Sequence, residues 1–465
     1  MRQLPPDFTL GVATAAYQIE GAAHEGGRTD SIWDAFARVP GAVVDGHDGS
    51  VACDHYHRYP DDVRLMAEMG VQSYRFSTSW SRVRPDGGAV NEEGLDFYRR
   101  LVDELLEADV EPWLTLYHWD LPQALEASGG WTSRETVDRF VEYATSVVEA
   151  VGDRVPTITT LNEPWCSSFL SYTAGAHAPG RQSVRDGLVA GHHLLLAHGL
   201  GVDVIRGLAP DAWVGITLNL TVADPVDPDD EGDVDAARRI DGQFNRFFLD
   251  PIFRGEYPED LLADVGHLGL ADAIQPNDLG SIAAPIDVLG VNYYHGDAVS
   301  MRPPVVPLQQ DAPTSRAIAS PYPAADGVHA HPRGLPVTSM GWEVQPDGLT
   351  RVLQRVHEEY AGPAMVDLWV TENGAAYDDV VAEDGAVHDA ERVAFLEAHV
   401  GAVLDAIDAG VPVEGYFYWS MLDNYEWAWG YHKRFGLVRV DYETQQRTLK
   451  DSALAFQRIA RDRAL

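Results

Sequence analysis

The chain has 465 residues, of which 45% are hydrophobic and 10% aromatic, enough for a large buried core. Its 72 acidic residues against 34 basic ones give a formal net charge of −38, which disfavours nucleic acid and anionic membranes as partners. Two cysteines in a chain of this length do not make a disulfide framework, and no apolar signal segment precedes the first predicted strand, so a cytoplasmic protein is expected.

Short apolar runs typical of β-strands recur along the chain, separated by stretches with the helical period. Strands are predicted at Phe8–Tyr17, Ser73–Ser79, Pro112–Trp119, Thr157–Leu161, Trp213–Asn219, Val288–Tyr293, Leu368–Thr371 and Gly415–Trp419. Helices are predicted at Gly94–Ala108, Arg134–Val151, Asp235–Phe248 and Asp389–Ala409. Because no glycine-rich dinucleotide fingerprint follows the first strand, this α/β pattern predicts a single (β/α)8 TIM barrel with long βα loops, in which residues 1–465 form one catalytic domain.

The largest predicted loop, Ala298–Gly341, is rich in proline and polar residues and has no clear periodicity. Two interpretations stay open. The segment would either wall a substrate entrance or form a surface loop without such a role.

Polar and aromatic side chains follow the predicted strands at their carboxyl ends, where barrels of this type carry their active sites. In chain order they are Gln18 and Glu20, Arg75, His118-Trp119-Asp120, Asn162-Glu163-Pro164, Asn292-Tyr293-Tyr294, Glu372-Asn373-Gly374, Trp419-Ser420 and Glu426-Trp427. Such a mixture suits a neutral polyol, because hydroxyl groups need donors and acceptors while the apolar face of a pyranose packs on an indole. No cysteine–histidine ligand spacing and no phosphate loop accompanies it, so neither a metal nor a cofactor is predicted.

Two glutamates in this set, Glu163 and Glu372, could flank a glycosidic bond from opposite sides of the barrel. One would protonate the leaving oxygen and the other would attack the anomeric carbon. A single glutamate at a strand end could equally cap the next helix, so the hypothesis depends on the pair.

Several longer motifs carry a family resemblance, from Gly11–Gly21 through Tyr74–Ser77, Tyr117–Pro122, Leu161–Trp165, Gly290–Tyr294 and Thr371–Gly374 to Tyr416–Tyr442. On these motifs the chain resembles, from end to end, the β-glucosidases of glycoside hydrolase family 1. The resemblance implies that Glu163 is the acid/base and Glu372 the nucleophile, oriented by Arg75 and Tyr294. It also implies that the sugar is bound by Gln18, His118, Asn162, Tyr294, Trp419, Glu426 and Trp427. The leaving-group side would be lined by Trp342 and Cys166. The peptide bond between Trp419 and Ser420 would be cis.

The family mechanism is a double displacement that retains anomeric configuration, with the two carboxyl groups roughly 5–5.5 Å apart. Arg75 would favour the charged form of Glu372, and that charge would keep Glu163 protonated until the glycosyl-enzyme forms. The implied substrates are cellobiose, short cello-oligosaccharides and aryl β-glucosides, with β-galactosides and β-fucosides tolerated. The pair Glu426-Trp427 favours an unphosphorylated sugar, since a carboxylate would repel a 6-phosphate.

Alternatives remain beside this interpretation. A transglycosylating β-glycosidase would share the covalent intermediate, whereas a non-hydrolytic sugar-binding relative or a thioglucosidase would be suggested by glutamine at position 163. The sequence leaves open whether the protein is a monomer or a homo-oligomer.

Some conspicuous residues receive structural interpretations. His55 and His57 lack a complete metal-ligand set, and His192 and His193 are expected to pack within a helix. Glu20 and Asp120 are expected to make hydrogen bonds that support the fold, and Asn292 is expected to lie behind the substrate-contacting residues. Cys166 could be a buried small apolar residue as readily as a leaving-group contact.

Overall fold

Eight parallel strands close into a barrel in the computed structural model, which describes residues 2–306 and 313–465. Each strand pairs with its neighbours in chain order, and the first pairs with the eighth. From first to eighth the barrel strands are Thr9–Ala13, Ser73–Ser77, Glu111–Tyr117, Thr157–Asn162, Trp213–Asn219, Val288–Asn292, Asp367–Asn373 and Val413–Trp419. All of them overlap the predicted strands, and the predicted (β/α)8 barrel is confirmed.

Helices cover the outside of the barrel and bury their apolar stripes against it. The α-helices of eight or more residues are His55–Glu68, Glu92–Glu107, Glu135–Val151, Val184–Leu208, Glu231–Asp241, Phe247–Arg254, Pro346–Val356, Ala390–Asp408 and Asp451–Asp462. Shorter α-helices are Ala16–Ile19, Ile32–Ala37, Trp80–Val83, Gln123–Ala127, Glu259–Val265, Leu270–Ala273, Asp278–Ile282 and Gly362–Ala364. Segments with the wider π-helical turn are Cys166–Ala174, Gly242–Arg246 and His357–Ala361.

Aromatic rings fill part of the barrel interior. The ring of Trp113 on the third strand packs edge-on against Trp369 on the seventh at 5.1 Å and against Phe417 on the eighth at 5.2 Å. A Cβ atom on Gly11 would lie 2.4 Å from the Phe417 ring, so glycine is needed there for the ring to fit. Since the interior is packed, the space for a ligand is left at the end of the barrel.

The helix Val184–Leu208 is long and apolar enough to cross a membrane, but 83% of its most apolar window is buried inside the protein. His192 lies on this helix, where its ring nitrogens contact Tyr257 Oη at 3.0 Å and Asp278 Oδ2 at 2.9 Å. His193 contacts the Trp131 carbonyl at 2.8 Å. The helix is therefore a core element, in agreement with the predicted packing role of both histidines.

Two expectations about local structure differ from the fold. The predicted helix Asp235–Phe248 is divided by the π-helical turn Gly242–Arg246. The predicted loop Ala298–Gly341 contains most of the strand Asp297–Ser300 and all of His329–His331, which form a small sheet with Ala223–Pro225. Strands of three or four residues are too short to show an alternating pattern. Residues 307–312 of that segment lie outside the described residues.

Candidate active site

A cavity of about 560 Å³ opens where the barrel strands end. Its lining comes from the segments that follow the third to eighth strands, as expected for this architecture. Of the predicted site residues it exposes His118, Glu163, Cys166, Tyr294, Trp342, Glu372, Trp419, Glu426 and Trp427. The remaining ones, Gln18, Arg75 and Asn162, are fully buried. Arg75 and Asn162 bond to the cavity residues Glu372 and His118, whereas Gln18 Nε2 donates to Asn424 Oδ1 at 3.1 Å.

Glu372 is held at the end of the seventh strand by two donors. Arg75 Nη1 donates to its Oε1 at 2.6 Å, and Tyr294 Oη donates to its Oε2 at 2.8 Å. The pairing with the sixth strand shifts register between Val370 and Glu372, a local irregularity of the kind that re-aims a side chain. The structure thus brings Arg75, Tyr294 and Glu372 together as the resemblance implies.

Glu163 follows the fourth strand, and its backbone N–H donates to the Thr217 carbonyl of the fifth strand at 3.0 Å. Asn292 Nδ2 donates to Glu163 Oε1 at 2.6 Å, and the Cys166 thiol donates to Oε2 at 3.1 Å. Contrary to the expectation that Asn292 lies behind the substrate-contacting residues, it lines the cavity, because its amide reaches the predicted acid/base directly. Cys166 is buried, as one of its two interpretations expects, and it also lines the cavity.

A chain of hydrogen bonds connects the two glutamates. Arg75 Nη2 donates to Asn162 Oδ1 at 2.6 Å, and Asn292 Nδ2 lies 3.2 Å from the same oxygen. We call this chain, Glu372–Arg75–Asn162–Asn292–Glu163, the carboxyl relay. It fixes both carboxyl groups relative to one another through two amides and one guanidinium.

The side of the cavity assigned to the sugar combines unpaired polar atoms with aromatic rings. Among the described residues, Gln18 Oε1, His118 Nδ1 and Glu426 Oε2 are buried without a hydrogen-bond partner. Asn162 Nδ2 donates to His118 Nε2 at 3.1 Å, which orients the imidazole. The rings of His118 and Trp419 lie 5.8 Å apart and nearly parallel. Buried polar atoms without partners are costly, and hydroxyl groups of a ligand would satisfy them.

Backbone conformation at this site departs from the ordinary regions. Trp119, Glu163 and Trp427 have φ angles of 74°, 46° and 49°, in the left-handed region that side-chain-bearing residues seldom adopt. Such conformations cluster at functional sites, where the surrounding structure enforces them. The peptide bond between Trp419 and Ser420 is cis, as the resemblance implies.

Burial raises the pKa values of three carboxyl groups in the cavity, and repulsion by neighbouring carboxylates adds to the rise for Glu163 and Glu426. Burial and the charge of Glu372 raise the pKa of Glu163 to about 8. Burial also raises the pKa of Glu372, but Arg75 and Tyr294 oppose that rise. Burial, Glu372 and Glu163 raise the pKa of Glu426 to about 8. Because the guanidinium contacts Glu372 directly, Glu372 ionises first and Glu163 keeps its proton near neutral pH.

The part of the cavity around Trp342 is aromatic. Trp342 lies 5.5 Å from the Tyr294 ring and 5.2 Å from the His295 ring. Trp165 and Tyr322, whose rings are 5.6 Å apart, also line the cavity. Tyr322 belongs to the predicted loop Ala298–Gly341, so the described part of that segment favours the entrance-wall interpretation over a remote surface loop.

Sequence reasoning missed several cavity residues, namely Trp119, Trp165, Asn219, Phe244 and Tyr322. Trp119 and Trp165 belong to strand-end motifs, so the sequence could have indicated them as cavity residues. In the structure Trp119 Nε1 donates to the Asn162 carbonyl at 2.9 Å. Phe244 lies in a π-helical turn and Tyr322 in a segment without periodicity. A single sequence gives no sign that either residue lines the cavity.

The residues given structural interpretations lie mostly as expected. Glu20 accepts from Arg82 Nε at 3.0 Å and from Tyr98 Oη at 2.6 Å. His55 pairs with the buried Asp62 at 2.8 Å. Asp120 differs, because its two carboxylate oxygens are buried and make none of the expected hydrogen bonds within the described residues.

Comparisons with known proteins agree with this geometry. The family profile described as glycosyl hydrolase family 1 matches residues 1–464. The crystal structure of a psychrophilic β-glucosidase from Micrococcus antarcticus superposes with a TM-score of 0.97 at 55% identity, covering 99% of this chain and 98% of that one. A Thermotoga maritima β-glucosidase in complex with glucoimidazole gives 0.92 at 43% identity, with full coverage of both chains. A bifunctional β-D-glucosidase/β-D-fucosidase from Bifidobacterium breve is 46% identical over 98% of each chain.

Proposed function

The chain belongs to glycosyl hydrolase family 1, and we propose that it is a retaining β-glucosidase with Glu372 as the nucleophile and Glu163 as the acid/base. The observation that carries this proposal is that two buried glutamates lining one cavity contact different groups. Glu372 contacts a guanidinium at 2.6 Å, whereas Glu163 contacts an amide and a thiol. The guanidinium stabilises Glu372 as an anion, whereas burial and the charge of Glu372 outweigh the amide and the thiol and keep Glu163 as an acid.

In the first step Glu372 attacks the anomeric carbon while Glu163 gives its proton to the glycosidic oxygen, and the bond to the aglycone breaks. The charge of Glu372 is lost in the ester that forms, so the repulsion that raised the pKa of Glu163 disappears. Glu163 then takes a proton from water as the water oxygen attacks the same carbon. The ester bond breaks, and Glu372 regains its charge.

The roles of the other residues follow from their placement in the cavity. The unpaired atoms of Gln18, His118 and Glu426 would bind hydroxyl groups of the terminal sugar, with Asn162 nearest the 2-hydroxyl. Trp419 would support the ring from below. Trp427 would contact the terminal sugar, whereas Trp342 and Cys166 would meet the leaving group.

We propose terminal β-D-glucosyl residues of cellobiose, short cello-oligosaccharides and aryl β-glucosides as substrates, with β-galactoside and β-fucoside side activity. The bifunctional relative supports the fucoside activity. An unphosphorylated sugar fits the buried Glu426. Lys433 is not placed to bind a phosphate, because its Nζ donates to the Ser339 carbonyl and lies 4.6 Å from the Trp429 ring centre. A cytoplasmic location is part of the proposal, supported by two free buried cysteines.

The deciding experiments measure the anomeric configuration of the product and detect the covalent intermediate. Proton NMR of aryl β-glucoside hydrolysis should show β-glucose as the first product, and a 2-fluoro-glucoside should add its mass to the peptide that contains Glu372. Glu372→Ala should lose turnover, with azide restoring it and yielding the α-glucosyl azide. Glu414→Gln, a half-buried glutamate near the start of the eighth strand, is the matched control and should keep full activity.

First appearance of α-glucose, a label on another residue, or undiminished turnover by Glu372→Ala without azide would contradict the proposal. Product analysis at high cellobiose distinguishes hydrolysis from transglycosylation, since only the latter accumulates longer oligosaccharides. A separation of about 9 Å between the carboxyl groups of Glu163 and Glu372, instead of roughly 5–5.5 Å, would indicate inversion.

A further inference from the structure

Three side chains with metal-binding donor atoms meet at the surface between two segments far apart in the chain. Asp45 and His47 follow the short helix Ile32–Ala37, and His432 follows the segment that carries Glu426. Each offers one donor atom, and the three atoms all lie within 4.8 Å of one another. His432 Nε2 is 2.7 Å from Asp45 Oδ2, and the two imidazole rings lie 5.5 Å apart.

Two of the donor atoms already make hydrogen bonds that a cation would replace. The Tyr431 N–H donates to His47 Nδ1 at 3.3 Å, so the lone pair of this nitrogen faces that N–H. His432 Nε2, 2.7 Å from Asp45 Oδ2, would exchange this contact for the cation, since imidazole and carboxylate groups bind metals in their deprotonated forms.

The surrounding contacts hold the two segments together. Tyr431 Oη donates to the Asp48 carbonyl at 2.7 Å, and Tyr425 Oη donates to the His47 carbonyl at 3.3 Å. A Cβ atom on Gly430 would lie 2.5 Å from His47 Nδ1, so the absence of a side chain there lets the imidazole approach. The donor groups therefore stand on backbone that other bonds already position, which lowers the entropic cost of binding a cation.

We propose that Asp45, His47 and His432 form a binding site for one divalent cation of the Zn²⁺ class, with water completing its coordination. Two imidazole nitrogens and one carboxylate oxygen suit Zn²⁺ or Ni²⁺. Mg²⁺ and Ca²⁺ prefer oxygen ligands in larger number and are excluded by this donor set. The cation would link residues 45–47 to the segment that carries Glu426 and Trp427. This site is independent of the hydrolytic reaction.

Two other surface groups provide an internal control, because each combines one imidazole with two carboxylates. His388 contacts Asp384 and Asp451, and His57 contacts Asp54 and Glu25. Their donor atoms do not all come within that mutual distance, and among the described residues the group formed by Asp45, His47 and His432 is the one that does. If zinc bound to any surface group of histidine and carboxylate side chains, these two groups would bind it as well.

The test uses the full chain after treatment with a chelator. Isothermal titration with ZnCl₂ should show one site, and thermal unfolding should move to higher temperature with ZnCl₂ or NiCl₂ but not with MgCl₂. His432→Gln, an exposed position, should weaken zinc binding about tenfold or more, the loss typical of removing a ligand or its support. Asp45→Asn should also weaken it, whereas His388→Gln should bind as the wild type does.

Equal zinc affinity in His432→Gln and His388→Gln, or no heat of binding in the wild type, would overturn the proposal. Circular dichroism of each variant without zinc establishes that the substitutions leave the fold intact. Hydrolysis of an aryl glucoside without zinc should be the same in the wild type and His388→Gln.

Discussion

Arg75 donates from Nη1 to Glu372 Oε1 and from Nη2 to Asn162 Oδ1, with both distances 2.6 Å. Its guanidinium contacts Glu372, and its charge also lowers the pKa of Glu163, whereas burial and the charges of both other carboxyl groups raise the pKa of Glu426. The position of this single charge decides which of the carboxyl groups is ionised at neutral pH.

Arg75→Met should reduce kcat/KM for an aryl glucoside by about 10²–10³-fold, the cost of removing a preorganised charged donor. The guanidinium lowers the pKa values of both Glu372 and Glu163, so without it both ionise at higher pH. The whole bell-shaped profile of kcat/KM against pH should therefore move to higher pH. Arg458→Met, an exposed surface pair partner of Glu397, serves as the control. An unmoved profile would show that Arg75 acts by shape alone.

Cys166→Ala should move only the alkaline limb of that profile. The thiol donates to Glu163 Oε2 and so favours the ionised carboxyl, lowering its pKa. Loss of one such hydrogen bond is worth about 1 kcal/mol, which raises the limb by up to about 0.7 pH unit. Cys166→Ser keeps a donor and should retain the wild-type profile. If serine and alanine behave alike, the hydrogen bond has no influence on the acid/base.

Glu426→Gln should weaken use of the ordinary glucoside more than use of its 6-phosphate. A buried carboxylate accepts strongly from hydroxyl groups, and losing such a bond costs about 1.5–3 kcal/mol, roughly 10–100-fold in kcat/KM. The same change removes the charge that Glu426 carries above its pKa of about 8 and that repels phosphate, so the two substrates are compared above that pH. We expect the wild type to prefer nitrophenyl β-glucoside strongly over the 6-phosphate, and the variant to narrow that gap. A wild-type preference for the phosphorylated substrate would contradict the proposed specificity.

Asp120→Asn should stabilise the protein at alkaline pH. Burial raises the pKa of Asp120 to about 7, above the roughly 3.9 expected for the unfolded chain. Between these values the folded state binds more protons, so this carboxyl group lowers stability progressively as the pH rises from about 4 to 7. The midpoint of thermal unfolding of the variant should exceed that of the wild type at pH 8 and match it near pH 4. A difference that does not depend on pH would mean that Asp120 is not protonated in the fold.

Lys450→Met should destabilise the fold strongly. Lys450 Nζ is fully buried, donates to Asp423 Oδ1 at 2.7 Å and also contacts Asp379. Without Lys450 each carboxylate keeps one arginine partner, Arg434 for Asp423 and Arg392 for Asp379, so we expect a loss near the lower end of the about 3–5 kcal/mol that breaking a buried ion pair costs. The exposed pair of Arg458 and Glu397 gives a comparison, since Arg458→Met should cost about 0–1 kcal/mol. Denaturant unfolding of both variants measures the contrast, and equal losses would refute the burial argument.

The strand pattern was sufficient to predict the barrel, because each barrel strand is an apolar run that ends in polar residues. The same pattern predicted Glu163 and Glu372 on one rim, since parallel strands end on the same side. It did not predict that Asn292 would contact Glu163 directly, because that contact depends on a register shift before Asn162.

Features formed by packing between distant segments left no local signal. Tyr322 reaches the cavity from a segment without periodicity, and Phe244 does so from a π-helical turn. The raised pKa of Glu426 also depends on its distance from the other two carboxyl groups, which a motif does not contain.

The carboxyl relay has a consequence for engineering. Glu163 acts in both half-reactions, as the acid in bond cleavage and as the base in water attack, and Asn162 and Asn292 connect its support to that of Glu372. A substitution at either amide will therefore change the two half-reactions together. A designer who wishes sugars to be joined instead of split should alter side chains outside the carboxyl relay, such as Trp342 on the proposed leaving-group side.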